Sequence, residues 1–203
     1  MLPKLFDFGS FFLPTYGVIA AAGLILGLML NIRLAVRDGL DEEKSWNLGI
    51  VAILSAILGS KILLIVIEWK HFSNNWRTLL DASFIQSAGV YYGGLIGALL
   101  ASVIYMKLKG MPILRTCDAF APGVAFGHGL GRLGCFAAGC CYGRPTDLPW
   151  GITFTNPWAQ KSVGTPLNVS LHPAQLYEFL TEMLITFVLL ALWKRKQFPG
   201  QVF

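Results

Sequence analysis

The stretch WNLGIVAILSAILGSKILLIVI, Trp46–Ile67, holds a single charge, Lys61, in an otherwise apolar run. A helix needs about 20 predominantly apolar residues to cross a bilayer, and buried core helices of soluble proteins are typically shorter. Four more stretches read the same way: Phe12–Ile32, Ser87–Met106, Ile113–Gly139 and His172–Trp193. The Ile113–Gly139 stretch is overlong and contains Pro122-Gly123, which predicts a kink or a later start. Composition agrees: of 203 residues, 55% are hydrophobic and 13% charged, where soluble proteins carry about 25% charged residues. So much apolar surface requires lipid to cover part of it. The expected fold is an all-α, polytopic transmembrane bundle of five spans, a single integral membrane domain over residues 1–203. A long loop, Cys140–Leu171, joins spans four and five; at this length a connection is more often functional than passive. The opening MLPKLFDFGS has little positive charge and no cleavage site, so no removable signal peptide is expected.

Loop charge sets the orientation. Arg33, Arg37, Lys44, Lys107, Lys109, Arg115, Lys194, Arg195 and Lys196 cluster on one side; Lys4, Lys70, Arg77, Arg144 and Lys161 are spread along the other. The denser side faces the cytoplasm, which puts the N-terminus and the long loop outside. The net charge of +5 suits an anionic membrane surface. Nucleic acid is not an expected partner, because no basic face with interleaved aromatics is present.

Ionisable groups inside a span are costly unless paired or hydrated, so each marks a candidate site. At ~1.5 Å rise per residue, Tyr16 lies about 6 Å from the outer end of its span, Tyr92 about 8 Å, Lys61 and Glu178 about 9 Å, and Arg132 about 10 Å. Five helices thus bring a polar group to one layer. Lys61 and Arg132 could simply snorkel outward and pair with Glu178 or Glu182. Arg132 is flanked by GLG and LG, where bare backbone allows close approach, and its planar fork suits a phosphate. Glu178 and Glu182, four apart, share a helix face. His128 precedes Arg132 by one turn on the same face; it is either a packing hydrogen-bond partner or a proton acceptor. His172, before Pro173, is either a cap or a site residue.

Gly93 and Gly97, like Gly127 and Gly131, are spaced for tight helix contacts. Four cysteines, Cys117, Cys135, Cys140 and Cys141, are too few and too clustered for a disulfide framework. Three fall in GCFAAGCC, a spacing that fits no standard zinc pattern. They are read as small apolar residues of a packed helix, and no metal or cofactor is expected. There is no internal repeat, and the paired broken helices of small transporters are not evident.

Several motifs occur in order: TYG at Thr15–Gly17, YGGLIG at Tyr92–Gly97, GRLGCF at Gly131–Phe136, YGRPTDLPWG at Tyr142–Gly151 and HPAQLYE at His172–Glu178. Together they resemble the prolipoprotein diacylglyceryl transferases, enzymes of the bacterial inner membrane. The resemblance implies transfer of a diacylglyceryl group from phosphatidylglycerol to the lipobox cysteine thiol in the signal peptide of a prolipoprotein, giving a thioether and glycerol phosphate. It implies that Arg132 holds the phosphate, that Tyr16 orients the headgroup and that Arg144 contacts it near the entrance. The family pattern has histidine, a candidate proton acceptor, where this chain has Tyr92. An unperturbed tyrosine has a pKa near 10 against about 6.5 for histidine. Tyr92 therefore reads as a hydrogen-bond donor and His128 as an alternative acceptor. The family's asparagine after GRLG is Cys135 here, which alters a headgroup contact. The family pattern also continues into two further spans, the first with another arginine. Two readings remain open: the transferase, and a relative that binds anionic membrane lipid without transfer.

Overall fold

The computed structural model describes residues 3–7, 12–80, 84 and 89–203. Ser87, the expected start of span three, and part of the opening segment, Met1, Leu2 and Phe8–Ser10, lie outside the described residues. The described chain forms two compact units. One combines the residues up to Asp38 with Cys117–Phe203, and the other is Gly39–Thr116.

The second unit is built on two long helices, α2 (Glu42–Ile67) and α4 (Tyr91–Leu108). Asp41 caps α2, its carboxylate accepting the Lys44 N–H at 2.8 Å. Glu42 and Glu43 in the first turn suit the positive end of the helix dipole. The most apolar stretch of α2 has no buried residue, and Leu54, Ile57, Leu58, Ile62 and Val66 are all exposed. Such a helix needs an apolar solvent. Against α4 the contact is made by small residues: Gly59 lies on Gly93 and Gly97, and a Cβ at Gly97 would stand 2.7 Å from the Ser55 carbonyl. The Gly93–Gly97 spacing thus does mark a close helix pair. The connection carries a short helix, α3 (Trp69–Asn74), and a 3-10 turn, Trp76–Leu80.

The first unit holds α1 (Thr15–Arg37), most of α5 (Ile113–Ala138) and α7 (Ala174–Arg195). Gly23 and Gly27 of α1 meet Gly127 and Gly123 of α5. A Cβ at Gly23 would stand 2.9 Å from the Gly127 carbonyl, and one at Gly27 2.5 Å from that of Gly123. The tight pair on α5 is therefore Gly123 and Gly127; a Cβ at Gly131, expected to join Gly127, would meet nothing within 4 Å. Two hairpins complete the unit: β1 (Lys4–Asp7) with β2 (Phe12–Pro14), and β3 (Ile152–Thr153) with β4 (Ser170–Leu171). Between β3 and β4 lies α6 (Pro157–Val163), capped by Asn156 and closed by Gly164 at φ +72°. The segment between α5 and α7 has a small core of its own, Phe154, Ala159, Thr165 and Leu171, each no more than 1% exposed.

Each of the five expected spans contains a long helix, although Phe12–Pro14, expected in span one, form strand β2 instead. Four of them, α1, α2, α4 and α7, are long and apolar enough to cross a membrane. α5 is helical straight through Pro122, but its glycines, threonine, histidine and charges lower its hydropathy, and it is not among the four.

Near the start of α5 in this unit, Asp118 is wholly buried. Its carboxylate accepts the backbone N–H groups of Gly200 (2.8 Å), Val202 (2.9 Å) and Phe203 (3.1 Å). Lys196 stands 2.7 Å from Asp38 and 3.9 Å from Asp118. The charge is thus neutralised and its oxygens are satisfied.

Candidate functional site

At the other end of the first unit, the N-termini of α1 and α7 meet the C-terminus of α5. Arg132 and His128 are one turn apart on α5; Glu178 and Glu182 are one turn apart on α7. The helices run antiparallel, so the pairs face each other rung by rung. Arg132 Nε lies 2.8 Å from Glu178 Oε2, and His128 Nδ1 lies 2.7 Å from Glu182 Oε1. The Arg132–Glu178 contact is an ion pair whose angle falls short of a hydrogen bond, so the buried Nε–H has no acceptor. A buried donor without an acceptor is costly. The guanidinium has four more N–H groups besides. Both pairs are partly open: the side chains of Arg132 and Glu178 are 26% and 42% exposed.

Tyr16 joins them from the first turn of α1. Its ring packs on Gly134, where a Cβ would stand 3.1 Å from Cδ2. Next to it, the buried Thr15 hydroxyl has no hydrogen-bond partner. Gly143 and Arg144 pair through the main chain with His172, at 2.9 and 3.0 Å, which ties the YGR and HP motifs together. Arg144 is exposed. His172 Nδ1 lies 3.1 Å from the Tyr177 hydroxyl, which also accepts from Trp150 Nε1 at 2.8 Å. α7 starts at Ala174, after Pro173, so His172 precedes the helix and belongs to this loop network.

Lys61 and Tyr92 belong to the second unit. Lys61 Nζ donates to the Phe84 carbonyl at 2.6 Å and lies 4.8 Å from the centre of the Phe84 ring. Tyr92, in the first turn of α4, is 68% exposed and stacks edge-on with Tyr91.

The cysteines depart from expectation. Cys135 is in α5, but the helix ends at Ala138, so Cys140 and Cys141 are not residues of a packed helix. Gly139 at φ +83° and Cys141 at φ +61° reverse the chain. This turn is clamped by two wholly buried side chains: Thr165 donates to the Gly139 carbonyl at 2.9 Å, and Gln175 Nε2 to that of Cys140 at 2.6 Å. The reversal carries Cys140 and Cys141 back toward Cys135, and the three sulfurs lie within 4.8 Å of one another. Hydrogen bonding with Cys135 and burial push the Cys140 thiol up from its ordinary pKa. The cluster was missed because spacing along the chain does not report a turn that folds back on a helix. Gln175 and Thr165 were missed too, although Gln175 is the Q of HPAQLYE.

Four helices long and apolar enough to cross a bilayer put the chain in the class of helical integral membrane proteins. Comparison with known proteins narrows this. The sequence profile of the prolipoprotein diacylglyceryl transferases matches residues 3–203, and the chain belongs to that family. A phosphatidylglycerol–prolipoprotein diacylglyceryl transferase of Clostridium tetani is 36% identical over 100% of this chain and 78% of its own length. Proteins of the same name from Finegoldia magna and Clostridioides difficile are each 33% identical over 92% of this chain and 70% of their own.

Proposed function

We propose that this chain transfers a diacylglyceryl group from phosphatidylglycerol to the lipobox cysteine of bacterial prolipoproteins. It does so as a single five-span domain in the cytoplasmic membrane, with its N-terminus and the α5–α7 loop outside. Family membership supplies the reaction; the observation that carries the site is Arg132, partly exposed, with a buried Nε–H that lacks an acceptor.

In the reaction, the bond between the terminal glycerol carbon of the diacylglyceryl group and the phosphate oxygen breaks. That carbon bonds to sulfur, and glycerol phosphate leaves with the electron pair. Arg132 holds the phosphate and offsets the charge that grows on it. Tyr16 orients the headgroup, and Arg144, Cys135 and His172 bound the approach from the loop side. The thiol must give up its proton. His128 is the acceptor: an Nδ1–H donated to Glu182 leaves Nε2 with the free lone pair, the arrangement a histidine base requires. Glu178 positions Arg132.

Arg132→Ala is the test. Complementation of a strain depleted of its own enzyme should fail, and thioether formation on a lipobox peptide with phosphatidylglycerol vesicles should fall about 10²–10³-fold, the usual loss of a preorganised charge partner. The unfolding temperature in detergent should hold. Normal complementation by the variant overturns the assignment. Tight lipid binding by the wild type with no thioether formed would favour the non-catalytic relative.

A further inference from the structure

Of the three thiols beside Arg132, Cys140 and Cys141 have no part in the transfer reaction, and Cys135 only borders the approach to it. Cys135, Cys140 and Cys141 place their sulfurs within 4.8 Å of one another. The cluster depends on a left-handed turn at Gly139 and Cys141, an uncommon conformation for a residue with a side chain. Two wholly buried polar side chains, Thr165 and Gln175, hold that turn by its carbonyls. A strained reversal fixed in this way sets three soft donors around one point. Among the described residues, no histidine, aspartate or glutamate joins the three as a fourth ligand.

We propose that Cys135, Cys140 and Cys141 form a binding site for a soft monovalent metal ion, Cu(I), held by three sulfurs. Metal–sulfur bonds of about 2.3 Å put the corners of a trigonal set about 4 Å apart, so the thiols close on an ion by less than their present spread. Thiolates select soft cations. Zinc in structural sites takes four ligands in a tetrahedron, and only three are offered here. The fourth cysteine, Cys117, lies outside the cluster and serves as an internal control.

The neighbourhood gives the site a consequence, which rests on the proposed transferase reading. Three thiolates around Cu(I) leave a net charge of −2, one turn from Arg132 on α5 and within electrostatic reach of it. A filled site then competes with an anionic headgroup for the guanidinium, and copper slows transfer.

The whole chain, purified in detergent, fully reduced and kept without oxygen, is titrated with Cu(I) against the chelator bathocuproine disulfonate. One equivalent should be retained. Cys141→Ser, at an exposed position, should weaken retention at least tenfold with no change in unfolding temperature, and Cys117→Ser should leave it unchanged. X-ray absorption of the loaded protein should show three sulfur neighbours. No retained copper, equal retention by Cys141→Ser, or Zn(II) bound in place of Cu(I) overturns the proposal. A mass two hydrogens lighter in protein purified without reductant, with the cluster thiols lost to alkylation, also overturns it, since it assigns the cysteines to a disulfide. Each readout is independent of transfer activity, so the site stands or falls apart from the enzyme reading. If copper binds and transfer is unaffected, the competition with Arg132 is overturned and the metal site stands.

Discussion

The two ends of α5 in the first unit each hold a charged group, and they hold it differently. Asp118 is wholly buried, with three backbone N–H groups and Lys196 on its carboxylate. Three main-chain N–H groups hydrogen-bond it and a lysine stands 3.9 Å away, so the charge is balanced within the protein. Fourteen residues along the same helix, Arg132 has a partly exposed partner in Glu178 and a buried N–H with no acceptor. A saturated charge ties the chain to itself. An ion pair that solvent reaches leaves donors unused. Burial alone would have picked Asp118 as the special residue; the accounting of donors and acceptors picks Arg132.

The contrast can be broken in three places. The largest effect is expected at the closed end. Asp118→Ala removes a carboxylate from three N–H groups and a half-buried lysine, and loss of one partner of a buried charge network costs about 3–5 kcal/mol. Unfolding in detergent should report it, while headgroup binding by the folded fraction stays near wild type. A variant as stable as wild type would mean that the Asp118 network is not structural. Next comes the wall between the two ends. Gly27→Ala drives a methyl group against the Gly123 carbonyl, and overpacking of this kind costs about 1–3 kcal/mol; the same denaturation series checks it. An unchanged midpoint would show that α1 and α5 part easily. The smallest effect is at the open end. Glu178→Gln removes an ion pair that solvent already reaches, worth under about 1 kcal/mol of stability. Its signature is instead a raised KM for phosphatidylglycerol vesicles at constant unfolding temperature. A loss of stability as large as that of Asp118→Ala would erase the distinction between the two ends.

The helices were legible because apolar length is a one-dimensional signal, and α1, α2, α4 and α7 carry it plainly. α5 carries it weakly, since Asp118, His128, Arg132 and its glycines dilute it. The facing of His128 and Arg132 with Glu182 and Glu178 was half legible: each pair sits at a four-residue spacing, but only the antiparallel packing of α5 on α7 decides which acid meets which base. The hydrogen-bond partners of Asp118 lie more than 80 positions away in the chain, and they are backbone groups, which no side-chain pattern reveals. The cysteine cluster depends on two left-handed residues, and one of them is not glycine. Turn chemistry rules would not have placed a reversal at Cys141.

The glycine contact between α1 and α5 has a mechanical meaning. Where main chain rests on main chain there is no rotamer to swing aside, so Gly23, Gly27, Gly123 and Gly127 make a welded seam. On the opposite flank, Gly129 of α5 rests against the Glu182 Cβ and the Met183 methyl, the far end of a flexible side chain. α5 is therefore fixed to α1 along one flank, while toward α7 the end of the Met183 side chain can give way.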